Sequence, residues 1–276
     1  MAATAKPAEA AAPARRDGSQ RLVAVKGRIW FWPGGSLWIG QGRGRAEWHE
    51  HHAHQIALAR DGDFRFRGEP QGRWTTYEAA LVPSHRAHGF ECDEATMAHL
   101  FVEPESTAGR ALVQRFGRDA IAELPHDAAR EATRMLFAAF DAETPHERMI
   151  AVARDAVTRL AGTDADVPAV DPRVQRTIEA IRRRLDGPWS LADAAAVAAL
   201  SPSRLRHLFV QETGTSFRAY VLWLRLNVAI EAAMAGASWT EAAHAAGFAD
   251  SAHLSRTHRR MLGIEPTAIR LAAATS

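Results

Sequence analysis

A single cysteine, Cys92, stands in a chain of 276 residues. One thiol builds neither an intrachain disulfide nor a zinc finger, and such usage fits a reducing cytoplasm. A lone Cys is more often a small buried hydrophobe than a reactive group. Also missing is any apolar run near the roughly 20 residues that a membrane helix needs, so no membrane partner is expected. The opening MAATAKPAEAAAPARRDGSQ has no apolar core segment. It reads as a disordered tail over residues 1–20 rather than a secretory leader. Enzyme motifs are scarce as well. There is no phosphate-cradling Gly loop ending in Lys and no G-x-S-x-G, and the carboxylates look scattered rather than paired. Lysine is absent from Asp171 onward. That stretch carries thirteen Arg against nine Asp and Glu, a surplus of four positive charges. With a formal net charge of +2 for the whole chain, the remainder carries −2. A basic C-terminal part beside a mildly acidic N-terminal part calls for an anionic partner of the former.

What is present divides the chain in two, as its length suggests. Residues 21–105 read as β, with short runs SLWIG, HQIALA, DFRFR, EAALVP and MAHLFV punctuated by Gly, Pro and Asp. Strands at that spacing suggest a sandwich or barrel. Helical spacing takes over in residues 106–163, where Leu112, Phe116, Leu136, Phe137, Phe140, Ile150, Val157 and Leu160 form apolar stripes. These stripes suit either a dimer interface or packing against the chain's own β part. Residues 164–172 carry Pro168 and Pro172 without periodicity and read as a linker. Everything after Pro172 reads as helical up to residue 276. The expected fold class is therefore α+β in two domains, a β domain with following helices and an all-α domain over 173–276.

The helical part repeats itself. A shift of 49 residues pairs Ala194 with Ala243, Ser201 with Asp250, Leu205 with Leu254 and Gly214 with Gly263. Each unit is a short helix, a tight turn and a second helix that opens on a cap and carries Arg. That is the helix-turn-helix pattern, which places one helix in the major groove of DNA. The inner faces go to Leu205, Leu208 and Phe209, and to Leu254 and Met261. The outer faces are left with Ser203, Arg206, His207 and Gln211, then with Ser251, Ser255, Arg256, Arg259 and Arg260. Arg bonds guanine edges bidentately, and Ser bonds bases or phosphates.

The stretch from Ser190 to Arg270 closely resembles the DNA-binding domain of AraC/XylS-type regulators. The resemblance rests on a small-residue helix, then S-x-x-x-L-x-x-x-F, E-x-G, A-x-x-x-G-F-x-D-x-x-x-L-x-R and G-x-x-P-x-x-x-R. Its last elements are Gly247-Phe248, Asp250, Leu254, Arg256, Gly263, Pro266 and Arg270. The resemblance implies base reading by Ser203, Arg206 and His207 in the first unit, and by Ser251, Ala252, Ser255 and Arg256 in the second. It implies a connecting helix over Phe217–Ala235 and phosphate contacts from Arg218 and from Arg259 or Arg260. It also implies promoter or operator DNA as partner, with RNA polymerase, a second copy of the chain and a small-molecule effector as further partners. His258 departs from the pattern, which usually has Phe there, and His258→Phe is expected to stabilise the second unit.

Seven of the 13 His lie between His49 and His99. WHEHHAHQ resembles the first cupin motif, with His49, His51, Gln55 and Gly62 at its spacing. Pro83 and His88 match the second motif, so a cupin-like β-barrel sensor is implied over residues 21–105. On a strand, His49, His51 and Gln55 would share one face. His88 would complete a three-His site with Gln55 as a weak oxygen ligand, suited to Zn, Ni, Cu or Fe. Gln stands where the motif has an acidic ligand, so a metal-free pocket lined by neutral His is the competing reading. The alternative function is a metal-dependent cupin enzyme, an oxygenase or isomerase fused to a helical domain.

Overall fold

The computed structural model describes residues 24–162, 167–185 and 187–271. The expected tail at 1–20 and part of the expected linker lie outside that range. Among the described residues nine strands form one sheet: β1 (Ala24–Trp32), β2 (Gly35–His49), β3 (His54–Asp61), β4 (Phe64–Arg67), β5 (Thr75–Tyr77), β6 (Ala79–Val82), β7 (His88–Val102), β8 (Ala122–Glu123) and β9 (Ile269–Leu271). Their order is β8-β6-β3-β7-β2-β1-β9, with β4 joining β5 to β7. Three of the five strand runs read from the sequence fall within these elements, while DFRFR overruns β4 by one residue at its start and EAALVP overruns β6 by one at each end.

The β1–β2 hairpin closes at Pro33-Gly34, where a fixed φ precedes a residue at φ 99°. That pairing is what a type II turn requires. Strand β7 is long enough to serve two neighbours on one edge. Its end pairs with β3 through Thr96–Val102, while its start pairs with β4 through Gly89–Cys92. β2 follows β7 along the other edge, with irregularities between Gly42 and Gly44 and between Ala46 and His49. Such bulges bend a strand and re-aim its side chains. The second one carries His49 to the inside.

Three helices follow: α1 (Thr107–Phe116), α2 (His126–Asp141) and α3 (His146–Ala161). Their stripes close on the sheet's outer face, where Leu112, Leu136, Val157 and Leu160 meet Trp30, Leu37 and Ile39 in one buried cluster. These stripes thus pack on the chain's own sheet, one of the two uses expected for them.

The C-terminal region comprises α4 (Pro172–Arg183), α5 (Leu191–Ala198), α6 (Pro202–Thr213), α7 (Phe217–Met234), α8 (Trp239–Ala245) and α9 (Ser251–Leu262). The caps fall where side-chain chemistry places them. Ser190 and Asp193 form a capping box on α5, and Ser238 and Glu241 form one on α8. Ser201 precedes Pro202 on α6, and Asp250 opens α9. Each satisfies an orphan backbone N–H, worth about 1 kcal/mol. Gly214 and Gly263, 49 residues apart, end the two second helices at φ 74° and 71°.

One expectation fails here, because the chain after Pro172 is not wholly helical. Pro266 opens a short 3-10 turn, and Ile269–Leu271 then lies parallel to β1, pairing Val25 with Ile269. The β1 edge was open, and the chain end fills it. The helical region therefore shares backbone pairing and apolar core with the sheet. Ile29, Ala53 and Phe101 sit in the same buried cluster as Tyr220, Trp223 and Leu262. No helix among the described residues is long and apolar enough to cross a membrane.

Candidate functional sites

His49, His51 and His88 each offer one ligand atom, and these three atoms lie within 4.8 Å of one another. All three side chains are buried. The site is not built on one strand face, as parity suggested. His49 ends β2, His51 lies in the bend between β2 and β3, and His88 opens β7. The close approach is the bend's work, since it brings residues on either side of Glu50 toward the start of β7.

The orientation of the rings is the informative feature. Each Nδ1 lies against a backbone carbonyl: His49 on Glu47 at 2.7 Å, His51 on Ala53 at 2.7 Å and His88 on Arg86 at 2.8 Å. In each pair the ring N–H must donate, which leaves the Nε2 lone pair of neutral His49 and His88 free to bind. His51 Nε2 lies against Gln55 Oε1 at 3.0 Å, so the Gln55 amide has to turn for His51 to ligate. A carbonyl holding the far ring nitrogen is the usual support of a metal-ligating His. His88 Nε2 is buried with no hydrogen-bond partner. Burial first, then repulsion from neighbouring His, depresses the triad. His49 falls to about 3 and His88 well below its ordinary value. Burial likewise lowers His51. Neutral imidazoles are what a metal requires. The donor set of three imidazole nitrogens fits a divalent ion of the Zn, Ni, Cu or Fe class.

The Gln55 carboxamide lies 3.0 Å from His51 Nε2 and 3.0 Å from His99 Nδ1. It thus borders the triad at the expected position. His49, Gln55 and His99 also line one end of a mostly apolar cavity of about 90 Å³. Trp38, Met97 and Phe101 wall it from the sheet, and Leu262 at the end of α9 and Ile264 just beyond it close it. Buried Cys92 faces this cavity, its thiol pushed up to about 12 by burial, so it serves as the small hydrophobe expected of it.

The remaining expected residues lie on the helices. On α6, Ser203, Arg206, His207 and Gln211 are all exposed, while Leu205 and Phe209 are buried. Helix α9 is similar but less open. Ala252, Arg256, Arg259 and Arg260 are exposed, and Ser251 and Ser255 are half-buried. Arg259 is ion-paired with Glu265. Arg218 is exposed at the start of α7. His253, Arg256 and Arg260 border a cleft whose opposite wall is Glu50, His51, His52 and His85. His258 is fully buried, and its Nδ1–H donates to the Ile264 carbonyl at 2.7 Å.

Sequence reasoning missed a buried ionic cluster between the two regions. Glu103 and Glu105 are not scattered carboxylates, because they follow β7 side by side and are both buried. Glu103 is bonded to Arg182 of α4. Glu105 takes the Tyr220 hydroxyl of α7 at 2.7 Å and contacts His52 Nε2 at 3.0 Å. Nearby, Arg110 pairs with Glu212 at 2.6 Å. Burial and the neighbouring Glu105 charge raise Glu103 to about 7. Burial would raise Glu105 too, but His52 and Tyr220 more than offset it and hold it at about 2. The signal was two Glu of one parity straight after an apolar strand.

Comparison with known proteins places the helical region. Residues 194–272 match the helix-turn-helix domain family. An uncharacterized HTH-type transcriptional regulator of Escherichia coli K12, YidL, is 33% identical over 98 residues, which is 35% of this chain and 33% of that one. The transcriptional activator RhrA of Rhizobium meliloti is 28% identical over 137 residues, or 49% of this chain and 36% of that one. The chain thus spans about a third of the length of these curated relatives. Among solved structures, ToxT from Vibrio cholerae O395 superposes with a TM-score of 0.52, covering 88% of this chain and 96% of its own, at 11% identity. A ToxT structure with bound unsaturated fatty acid gives 0.52 over 92% of this chain, at 12% identity. These structures share the fold across both regions.

Proposed function

We propose that this chain, whose last third is a helix-turn-helix domain of the AraC type, is a sequence-specific DNA-binding transcription regulator. In this reading its N-terminal sheet is a cupin-like sensor domain. The observation that carries it is the pair of capped helices, α6 and α9, repeated at 49 residues and each exposing Arg, with Ser203 exposed on α6 and Ser251 and Ser255 half-buried on α9. Ser203, Arg206, His207 and Gln211 read from α6. Ser251, Ala252, Ser255 and Arg256 read from α9, with Arg260 and Arg218 on phosphates. Matched reading helices about one DNA turn apart would meet the major groove on one face of the duplex. The relatives by sequence are named as transcriptional regulators, which supports a regulator over an enzyme.

In this reading the sensor responds through the triad and the adjoining cavity. His49, His51 and His88 would hold a divalent metal with Gln55 beside it, and a small, largely apolar effector suits the cavity. The ToxT fold with bound fatty acid lends support to that use of the sensor.

Selection from a random duplex library at moderate salt tests the DNA reading. A defined motif is expected to enrich. Arg206→Ala and Arg256→Ala should each then cost about 1–3 kcal/mol of specific affinity. Wild-type affinity should fall steeply with salt, because phosphate contacts release counterions. A library that yields no motif, or variants that bind the motif as wild type does, would overturn the reading.

A further inference from the structure

The end of β2 and the bend after it, which carry His49 and His51, are bonded directly to the end of the second reading helix. Glu47 N–H donates to the Gly263 carbonyl at 2.7 Å, and Glu50 N–H to the Arg260 carbonyl at 3.4 Å. Glu47's own carbonyl is the group that takes the His49 Nδ1–H. Gly263 therefore touches both ends of that support. A Cβ built on Gly263 would stand 2.5 Å from Glu47 O and 2.6 Å from His49 Nδ1. Real Cβ atoms do not approach so closely, so the helix end fits only because this position is bare.

The same bend reaches α7. The His51 ring lies 6.4 Å from that of Trp223. Its chain neighbour His52 meets Glu105, which in turn takes the Tyr220 hydroxyl. Two of the three imidazoles are thus held by a segment whose backbone is fastened to α9 and whose side chains pack on α7.

We propose that metal loading of the triad and the placement of the second helix-turn-helix unit are a single equilibrium, with Gly263 as the positioning residue that couples them. The inference rests on the reading of the triad as a metal centre. A ring ligates only when its supported nitrogen and its binding nitrogen are aligned together, and the support of His49 moves with α9. Linkage then makes the coupling mutual: the factor by which loading favours this seat of α9 is the factor by which the seat favours loading.

The test uses the full chain and zinc(II) alone, in competition with a chromophoric chelator. Wild type is expected to bind zinc, and His88→Ala to lose that binding. Gly263→Ala is expected to weaken it by about 10–100-fold, the usual effect of disturbing a ligand's support. Gly236→Ala is the control. Gly236 also sits at positive φ, 101°, but a Cβ there meets nothing within 4 Å, so it should match wild type. Hydrogen exchange on wild type alone gives a second readout that needs no variant to fold. Zinc should slow the amides of α9 several-fold and leave those of α2 unchanged. If zinc binds and His88→Ala abolishes it, yet α9 exchange is unmoved and Gly263→Ala equals Gly236→Ala, the coupling is wrong while the metal centre stands. If wild type binds zinc no better than His88→Ala, both fall.

Discussion

Replacing His258 by Phe should leave stability near its starting value at pH 7 and make the protein markedly more acid-resistant. The wild-type ring makes one hydrogen bond, to Ile264, worth about 1 kcal/mol net. Its Nε2 is buried with no partner, which costs about 1–3 kcal/mol. Phe removes both, and at neutral pH the two terms oppose each other. Acid separates the proteins. Burial depresses His258 to about 4 in the fold, against about 6.5 in an unfolded chain. The unfolded state therefore takes up the proton first. The contribution is intact above pH 6.5 and is lost as pH falls toward 4. Between pH 7 and pH 5 the wild type should lose about 2 kcal/mol on this account alone. Phe cannot titrate. Urea unfolding of both proteins at pH 7, 6 and 5, with chelator present, should show the stability difference widening by about 2 kcal/mol in favour of the variant. The other buried His titrate alike in both proteins and cancel. Parallel curves would refute the reasoning and mean that His258 is protonated or solvated in the fold.

Arg182→Ala strands Glu103, a buried carboxylate whose guanidinium partner is removed. Glu103 is already raised to about 7 beside that guanidinium, so without it the carboxyl is protonated at pH 7 and the expected loss by chemical denaturation is about 1–3 kcal/mol. The loss should grow as pH rises above 7, where burial of an unpaired carboxylate is penalised. Arg259→Ala should weaken binding to a selected DNA motif less than Arg256→Ala, since Arg259 is engaged with Glu265. Equal losses in a competition assay would show that this pair opens on DNA.

The helical region was legible because its signals are local. Ser201-Pro202, Asp250 and the Gly at 214 and 263 fix helix ends through neighbouring atoms alone, and the outward Ser and Arg follow from period. The strands were legible for the same reason. The triad was only half so. Its members were named, but a shared strand face was expected, and the fold uses the bend at Glu50 and the start of β7. The pairing of β9 with β1 had no local signal, because a three-residue strand forms only where an open edge awaits it. Glu103 and Glu105 escaped because each finds its partner in a helix some 80 to 115 residues away. Separations of that size leave no periodic trace.

The joint between the two regions bears on how a signal would pass. Separating them would expose Glu103, Glu105, Arg182 and Tyr220 together, and water would compensate every partner at once. Buried ion pairs contribute little net stability on that count, and break costly only when one member is left behind. The cohesion comes instead from the apolar contact of Ile29, Ala53 and Phe101 with the helical core, and from the strand pairing of β9. What the ionic cluster supplies is register. A slide of α4 or α7 along the sheet that keeps the apolar contact would leave Glu103 and Glu105 buried without their partners. Small sliding motions are therefore penalised more heavily than full separation, relative to the surface each exposes. The contact between the helices and the triad that lies outside this cluster is the one made through Gly263 at the end of α9.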